Sequence, residues 1–106
     1  MVGIKIKPLS SNKAWQGRRF KTPEYKAYEQ HLGYLLPARY PIPKGDLKIM
    51  IEVGFSNKLS DLDNPVKSFL DILQKKYEFN DNRIVEIHLY KKIVKKGEDY
   101  ISFDIS

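Results

Sequence analysis

Hydrophobic residues recur along this chain with two periods, and the changes of period mark its elements. Ile4 and Ile6 alternate with Lys5 and Lys7, a short edge-like strand that Pro8 ends. Residues 9–21 follow neither period and read as a loop. Thr22-Pro23-Glu24 is then a helix start: a cap, a proline at the first position and an acid in the first turn. Tyr25, Tyr28, Leu32, Leu35 and Leu36 recur at helical spacing and are expected to face a core. His31 lies beside that stripe and reads as a structural or exposed histidine rather than a catalytic one. The helix should end before Pro37, since a residue preceding proline is disfavoured in the helical region. Pro41, Pro43 and Gly45 make a stiff connection.

From Leu47 to Phe55 the alternation is strict, with Leu47, Ile49, Ile51, Val53 and Phe55 on one side: a half-buried strand. A polar loop, Ser56-Asn57-Lys58-Leu59-Ser60, leads into a second helix from Pro65 to about Lys76. That helix is expected to bury Val66, Phe69, Leu70, Leu73 and Tyr77, while Asp71 pairs at i,i+4 spacing with Lys67 and Lys75. Residues 77–82 form a turn. A strand follows from Ile84 to Val94, with Val85, Ile87, Leu89 and Ile93 on its apolar face. Glu86 and His88 lie on its polar face, close in sequence to Asp81; they could face a site there, or simply belong to an exposed strand face. Lys95-Lys96-Gly97-Glu98 turns the chain into a last strand, Tyr100 to Ile105. The order β-α-β-α-β-β predicts an α+β fold, a two-layer sandwich with a mixed sheet covered by two helices.

Composition narrows the function classes. A chain of 106 residues is read as one domain, able to bury about 65% of its unfolded surface. There is no cysteine, which excludes disulfides, zinc–thiolate sites and thiol catalysis. The start lacks the apolar core of a signal peptide and no run reaches membrane-spanning length, so a soluble cytoplasmic protein without a membrane partner is expected. A net charge of +6 and a pI near 9.5 suit a polyanionic partner or serve solubility alone. The loop at 9–21 mixes Lys13, Arg18, Arg19 and Lys21 with Trp15 and Phe20, a combination suited to phosphate contacts and base stacking. A solvated loop anchored by Trp15 is the plainer account.

The chemistry concentrates in Ser60-Asp61-Leu62-Asp63-Asn64-Pro65-Val66-Lys67. In an extended segment residues i and i+2 share a side, so Asp61 and Asp63 would present two carboxylates to one space. Two carboxylates about 4 Å apart repel by roughly 4 kcal/mol at an effective dielectric near 20. A proton, a partner base or a metal ion must relieve that. Oxygen ligands without Cys or clustered His suit Mg²⁺, Mn²⁺ or Ca²⁺. Asn64 suits a helix N-cap and Pro65 the first helical position, which puts Lys67 in a first turn that already favours anions. An EF-hand is excluded, because it needs an oxygen ligand at Pro65, glycine at Val66 and glutamate at Ile72. No P-loop is present.

Asp61-Leu62-Asp63-Asn64-Pro65-Val66-Lys67, a helix, then Asn80-Asp81 resembles the RusA family of Holliday-junction resolvases, which carries a D-x-D-N-x-x-K segment and a third aspartate after the following helix. The match is most specific over residues 56–82, about a quarter of the chain. Ser10-Ser11-Asn12-Lys13 with Trp15 and Arg18 is similar, more loosely, to the family's N-terminal region. Where many relatives have two adjacent acids, this chain has Asn80-Asp81, leaving Asp81 as the acidic member.

The resemblance implies a Mg²⁺-dependent nuclease, with Mn²⁺ as a substitute, that resolves four-way DNA junctions by paired nicks in recombination and repair. It implies that Asp61, Asp63 and Asp81 bind the metal and that Lys67 acts as catalytic base or phosphate contact. It also implies DNA contacts from Asn12, Lys13, Trp15, Arg18, Arg19 and Lys21, and a homodimer whose two-fold symmetry matches two equivalent strands. Three other readings stay open: a flap or fork nuclease with the same residues, a non-catalytic nucleic-acid-binding module, and an Asp pair that merely caps a helix. Lys91, Lys92, Lys95 and Lys96 form a second candidate phosphate track or, more plainly, a solvated hairpin tip.

Overall fold

The computed structural model describes residues 1–9, 22–62 and 65–106 in full, together with the backbone of residues 15–16 and 20–21. Its elements in order are β1 (Val2–Ile4), β2 (Trp15–Gln16), β3 (Phe20–Lys21), α1 (Pro23–Leu35), β4 (Leu47–Phe55), α2 (Val66–Tyr77), a 3₁₀ turn (Asp81–Arg83), β5 (Ile84–Ile93) and β6 (Tyr100–Ile105). Four strands make one mixed sheet in the order β1-β6-β4-β5, in which β4 runs parallel to β5 and antiparallel to β6. The expected α+β sandwich is what forms. The loop predicted over 9–21 contains a small antiparallel ribbon instead, Trp15 opposite Lys21 and Gln16 opposite Phe20. Strands of two residues are too short to leave a period.

Thr22 caps the first helix as expected, and periodicity places the second to within a residue at each end; Asn64, expected to cap it, lies outside the described residues. Thr22 Oγ1 accepts the Tyr25 N–H at 3.1 Å, Pro23 opens α1, and Leu36 closes it in an extended conformation ahead of Pro37. Tyr25, Tyr28, Leu32 and Leu36 are buried. Leu36 is buried as expected, but Leu35, also expected in the core, is 38% exposed at the margin of that stripe. In α2 the core residues are Phe69, Ile72 and Leu73, with Val66, Leu70 and Tyr77 packed partly against them. Ile72 belongs to the buried face although the periodic reading passed over it. Pro65 is the N-cap of α2 rather than its first residue, so the helix begins one position later than its sequence suggests.

The core lies between the helices and one sheet face. Leu47, Ile49, Ile51, Val53 and Phe55 of β4 meet Ile101, Phe103 and Ile105 of β6, and the Phe69 ring meets Phe103 edge-on at 5.6 Å. Tyr40 ties the stiff connection to the sheet: its hydroxyl donates to Asp104 Oδ1 at 2.8 Å and accepts the Ile105 N–H at 3.0 Å. The apolar face predicted for the strand from Ile84 is only partly used. Pairing of Ile49 with Ile87 and Ile51 with Leu89 turns that face toward the helix side. Yet β5 is the sheet edge, and Val85, Ile87 and Ile93 remain 57%, 42% and 48% exposed. Alternation reports which residues share a side, not whether anything covers it.

On the opposite sheet face Gly54 pairs with Tyr100, whose ring occupies the space a side chain would need: a Cβ at Gly54 would fall 2.3 Å from Tyr100 Cε1. Gly54→Ala should therefore lower the urea midpoint by the equivalent of about 1–3 kcal/mol at unchanged slope. In a Tyr100→Ala background the same substitution should cost little, and equal losses in the two backgrounds would refute this origin.

Candidate active site at the β4–α2 junction

The site begins where β4 ends. Beyond Phe55 the Ser56 N–H donates at 3.2 Å to Oδ2 of Asp99, a carboxylate only 8% exposed. Asn57 then folds the polar loop on itself: its side-chain oxygen accepts the Leu59 N–H at 2.9 Å and its carbonyl accepts the Ser60 N–H at 3.3 Å. Lys91 on β5 reaches across, its ammonium donating to the carbonyls of Lys58 at 3.1 Å and Ser60 at 2.5 Å while sitting 5.5 Å from the Phe55 ring centroid. The loop thus delivers Asp61 with its side chain exposed. Leu62 packs against the core and Pro65 is buried, which pins the chain on the far side.

Asp61 lines an open cleft of about 490 Å³. Lys7, Pro8 and Leu9 form one wall, the Ser56–Asp61 loop another, and Glu24 at the start of α1 also lines it. Leu9, just before the basic, aromatic segment, and Glu24, shortly after it, both line the cleft. A neighbouring hollow of about 410 Å³ carries Lys5, Lys7 and Lys96, which places several cations beside the cleft. Lys67 is exposed in the first turn of α2, the end of the helix that favours anions.

The remaining sequence-derived residues divide clearly. Asp63 lies outside the described residues, as do Asn12, Lys13, Arg18 and Arg19. Trp15 and Lys21 face one another in the β2–β3 ribbon, their side chains outside what is described. Asp81 is described and exposed, but elsewhere. It opens the 3₁₀ turn, where its N–H donates to Gln74 Oε1 at 3.1 Å, and Arg83 fastens that turn to the carbonyls of Gly45, at 3.0 Å, and Pro43. Because Ile84 sits beside Leu47 and Ile93 beside Phe55, Asp81 is at the end of the sheet where β4 starts and Asp61 at the end where it finishes. The 12 residues of α2, about 18 Å of helix, separate them within one chain. Among the described residues no three acidic or histidine side chains gather into a metal-holding group.

Three contributors escaped the periodic reading. Glu24 carries only the signal of a first-turn acid, and Asp99 follows a turn with no motif. Lys91 looks in sequence like one lysine of a basic hairpin, whereas its ammonium is engaged by two loop carbonyls. The donor set still fits a hard cation: Asp61 offers exposed carboxylate oxygens at the cleft, and the chain has no thiolate to favour a softer ion. No helix among the described residues is long and apolar enough to cross a membrane.

The family model described as endodeoxyribonuclease RusA matches residues 5–102 of the 106-residue chain. No curated protein matches the chain at a significant level.

Glu86 and His88 stand apart from the cleft, on the open sheet face. His88 Nε2 lies 2.6 Å from Glu86 Oε1, and Lys48 Nζ lies 3.5 Å from Glu86 Oε2. The His88 hydrogen bond, then the Lys48 charge, hold the Glu86 carboxyl below its usual range. Any stability this pair contributes is therefore present above the ordinary glutamate range and lost as pH falls through the depressed value. NMR titration should show Glu86 ionising below an unperturbed glutamate and returning toward it in His88→Ala. An unchanged midpoint in that variant would remove His88 as the cause.

Proposed function

The chain belongs to the RusA family of endodeoxyribonucleases, and from that premise we propose that it resolves four-way DNA junctions by paired, Mg²⁺-dependent phosphodiester hydrolysis. The observation that carries this reading is the setting of the family's acidic motif. Asp61 lies on a cleft also lined by Leu9 and Glu24, which flank the basic segment at 10–21, with Lys67 at the adjoining helix start. Asn12, Lys13, Trp15, Arg18, Arg19 and Lys21 would track the DNA backbone and stack on bases from there. Lys67 neutralises the phosphate under attack, helped by the positive end of α2. Asp61 and Asp63 would hold the cation, with Mn²⁺ as a substitute. When bound, such an ion activates water and stabilises charge developing on the phosphate and the leaving oxygen.

The distance between Asp61 and Asp81 supports a two-fold homodimer. The edge strand β5 carries Asp81 just before its start, and Val85, Ile87 and Ile93 are uncovered along it. Two β5 edges running antiparallel about a two-fold axis would bring the start of one strand to the end of the other. Asp81 of the partner subunit would then approach the loop that bears Asp61, completing the carboxylate set. Mixing Asp61→Asn and Asp81→Asn chains tests this, because each mixed dimer regains one intact site. Restored nicking is the expected result; none would mean that the two residues do not share a site across subunits.

The direct test uses a labelled immobile four-way junction beside duplex, flap and fork substrates, with Mg²⁺ or EDTA. Symmetric paired nicks should appear only on the junction with Mg²⁺ present, and Asp63→Asn should reduce them by about 100-fold or more while binding is kept or tightened. Preference for flaps or forks would retain the chemistry and change the substrate. Junction binding without cuts, insensitive to Asp61→Asn and Asp63→Asn but abolished by Arg18→Ala and Arg19→Ala, would identify a binding module.

A further inference from the structure

We infer that Lys91 is a positioning residue that sets the Asp61 carboxylate by holding the loop leading to it; the inference rests on the endonuclease reading for its consequence, though not for its geometry. Lys91 lies on the helix-side face of β5 beside Val53, two residues short of Phe55 along β4. From there its ammonium meets the carbonyls of Lys58 and Ser60 at 3.1 Å and 2.5 Å, with the Phe55 ring 5.5 Å away. Two carbonyls two residues apart converge on one cation, so the loop is drawn toward the sheet edge. An ammonium suits this, since it has three donors and no acceptor and meets carbonyl oxygens through charge-assisted hydrogen bonds.

The Ser60 contact matters most. Its carbonyl oxygen belongs to the planar peptide unit that also contains the nitrogen and Cα of Asp61. Fixing that oxygen orients the plane from which the Asp61 side chain departs. The rest of the loop is held from within by Asn57 and at its root by Asp99, and neither contact reaches the Ser60 carbonyl. A lysine in the basic hairpin thus serves the acidic site through the backbone. Its rival role is direct contact with a DNA phosphate, and the two make opposite predictions.

Lys91→Met and Lys91→Arg separate them. In the full-length protein, amide hydrogen exchange at Leu59, Ser60 and Asp61 should quicken by about 10-fold in Lys91→Met, with the thermal midpoint nearly unchanged because the residue is exposed. Mn²⁺ binding, followed by electron paramagnetic resonance, should weaken about 10-fold, and the Mg²⁺ needed for half-maximal junction cleavage should rise in step. The salt dependence of junction binding in EDTA should keep its slope, and Lys91→Arg should recover exchange protection and metal affinity. A slope reduced by about one with Mn²⁺ affinity unchanged would overturn the inference in favour of a phosphate contact. Unchanged exchange in Lys91→Met would overturn it outright. If the wild type neither binds Mn²⁺ nor cuts, the endonuclease reading fails, and the exchange data still decide whether Lys91 holds the loop.

Discussion

Parallel pairing between β4 and β5 obliges the chain to travel from one end of the sheet back to the other between the two strands, and α2 is that return. Most of what is distinctive here follows from it. The helix must start near the end of β4, so its anion-favouring terminus and Lys67 arise beside Asp61. It must finish near the start of β4, so the turn bearing Asp81 arises at the far end. The crossover that sets Lys67 beside Asp61 therefore carries Asp81 to the opposite end of the sheet.

The loop after Phe55 shows how an exposed acidic residue is given a definite place. A polar segment of this length would ordinarily sample many conformations, at a cost of about 1–2 kcal/mol per residue to order the backbone. Here a buried carboxylate takes the first free N–H, an Asx turn folds the middle, and a lysine from the neighbouring strand gathers two carbonyls. These contacts come from three separate parts of the chain. Their convergence ties the loop's backbone to the sheet edge although most of its side chains face solvent.

Some of this was legible in the residues and some was not, for definable reasons. Thr22-Pro23 and the strict alternation of Leu47–Phe55 are local signals, and the elements they announce are present. Asp61, Lys67 and Asp81 were legible as chemical types, because a motif fixes spacing along the chain. It does not fix spacing across the fold, and the separation of Asp61 from Asp81 depends on the parallel register of β4 and β5. The partial exposure of Val85, Ile87 and Ile93 was hidden for a similar reason: an edge position is a property of the sheet, not of the strand. Lys91 and Asp99 were invisible because each acts on backbone groups more than 30 residues away. Neither leaves a pattern among its own neighbours.

The position of β6 has a consequence for how the chain acquires its structure during synthesis. β6 follows every other element in the chain, yet it inserts between β1 and β4, pairing antiparallel with each. As the chain emerges from the ribosome, β4, α2 and β5 can associate early, but Ile51 and Val53 then have an unpaired strand edge on their β6 side. β1 has no sheet to join until that gap closes. Until β6 is made, the nascent chain therefore exposes an apolar strand edge, the condition under which aggregation competes with folding. The four-stranded sheet closes only once β6 is available, because β6 is the strand that joins β1 to β4.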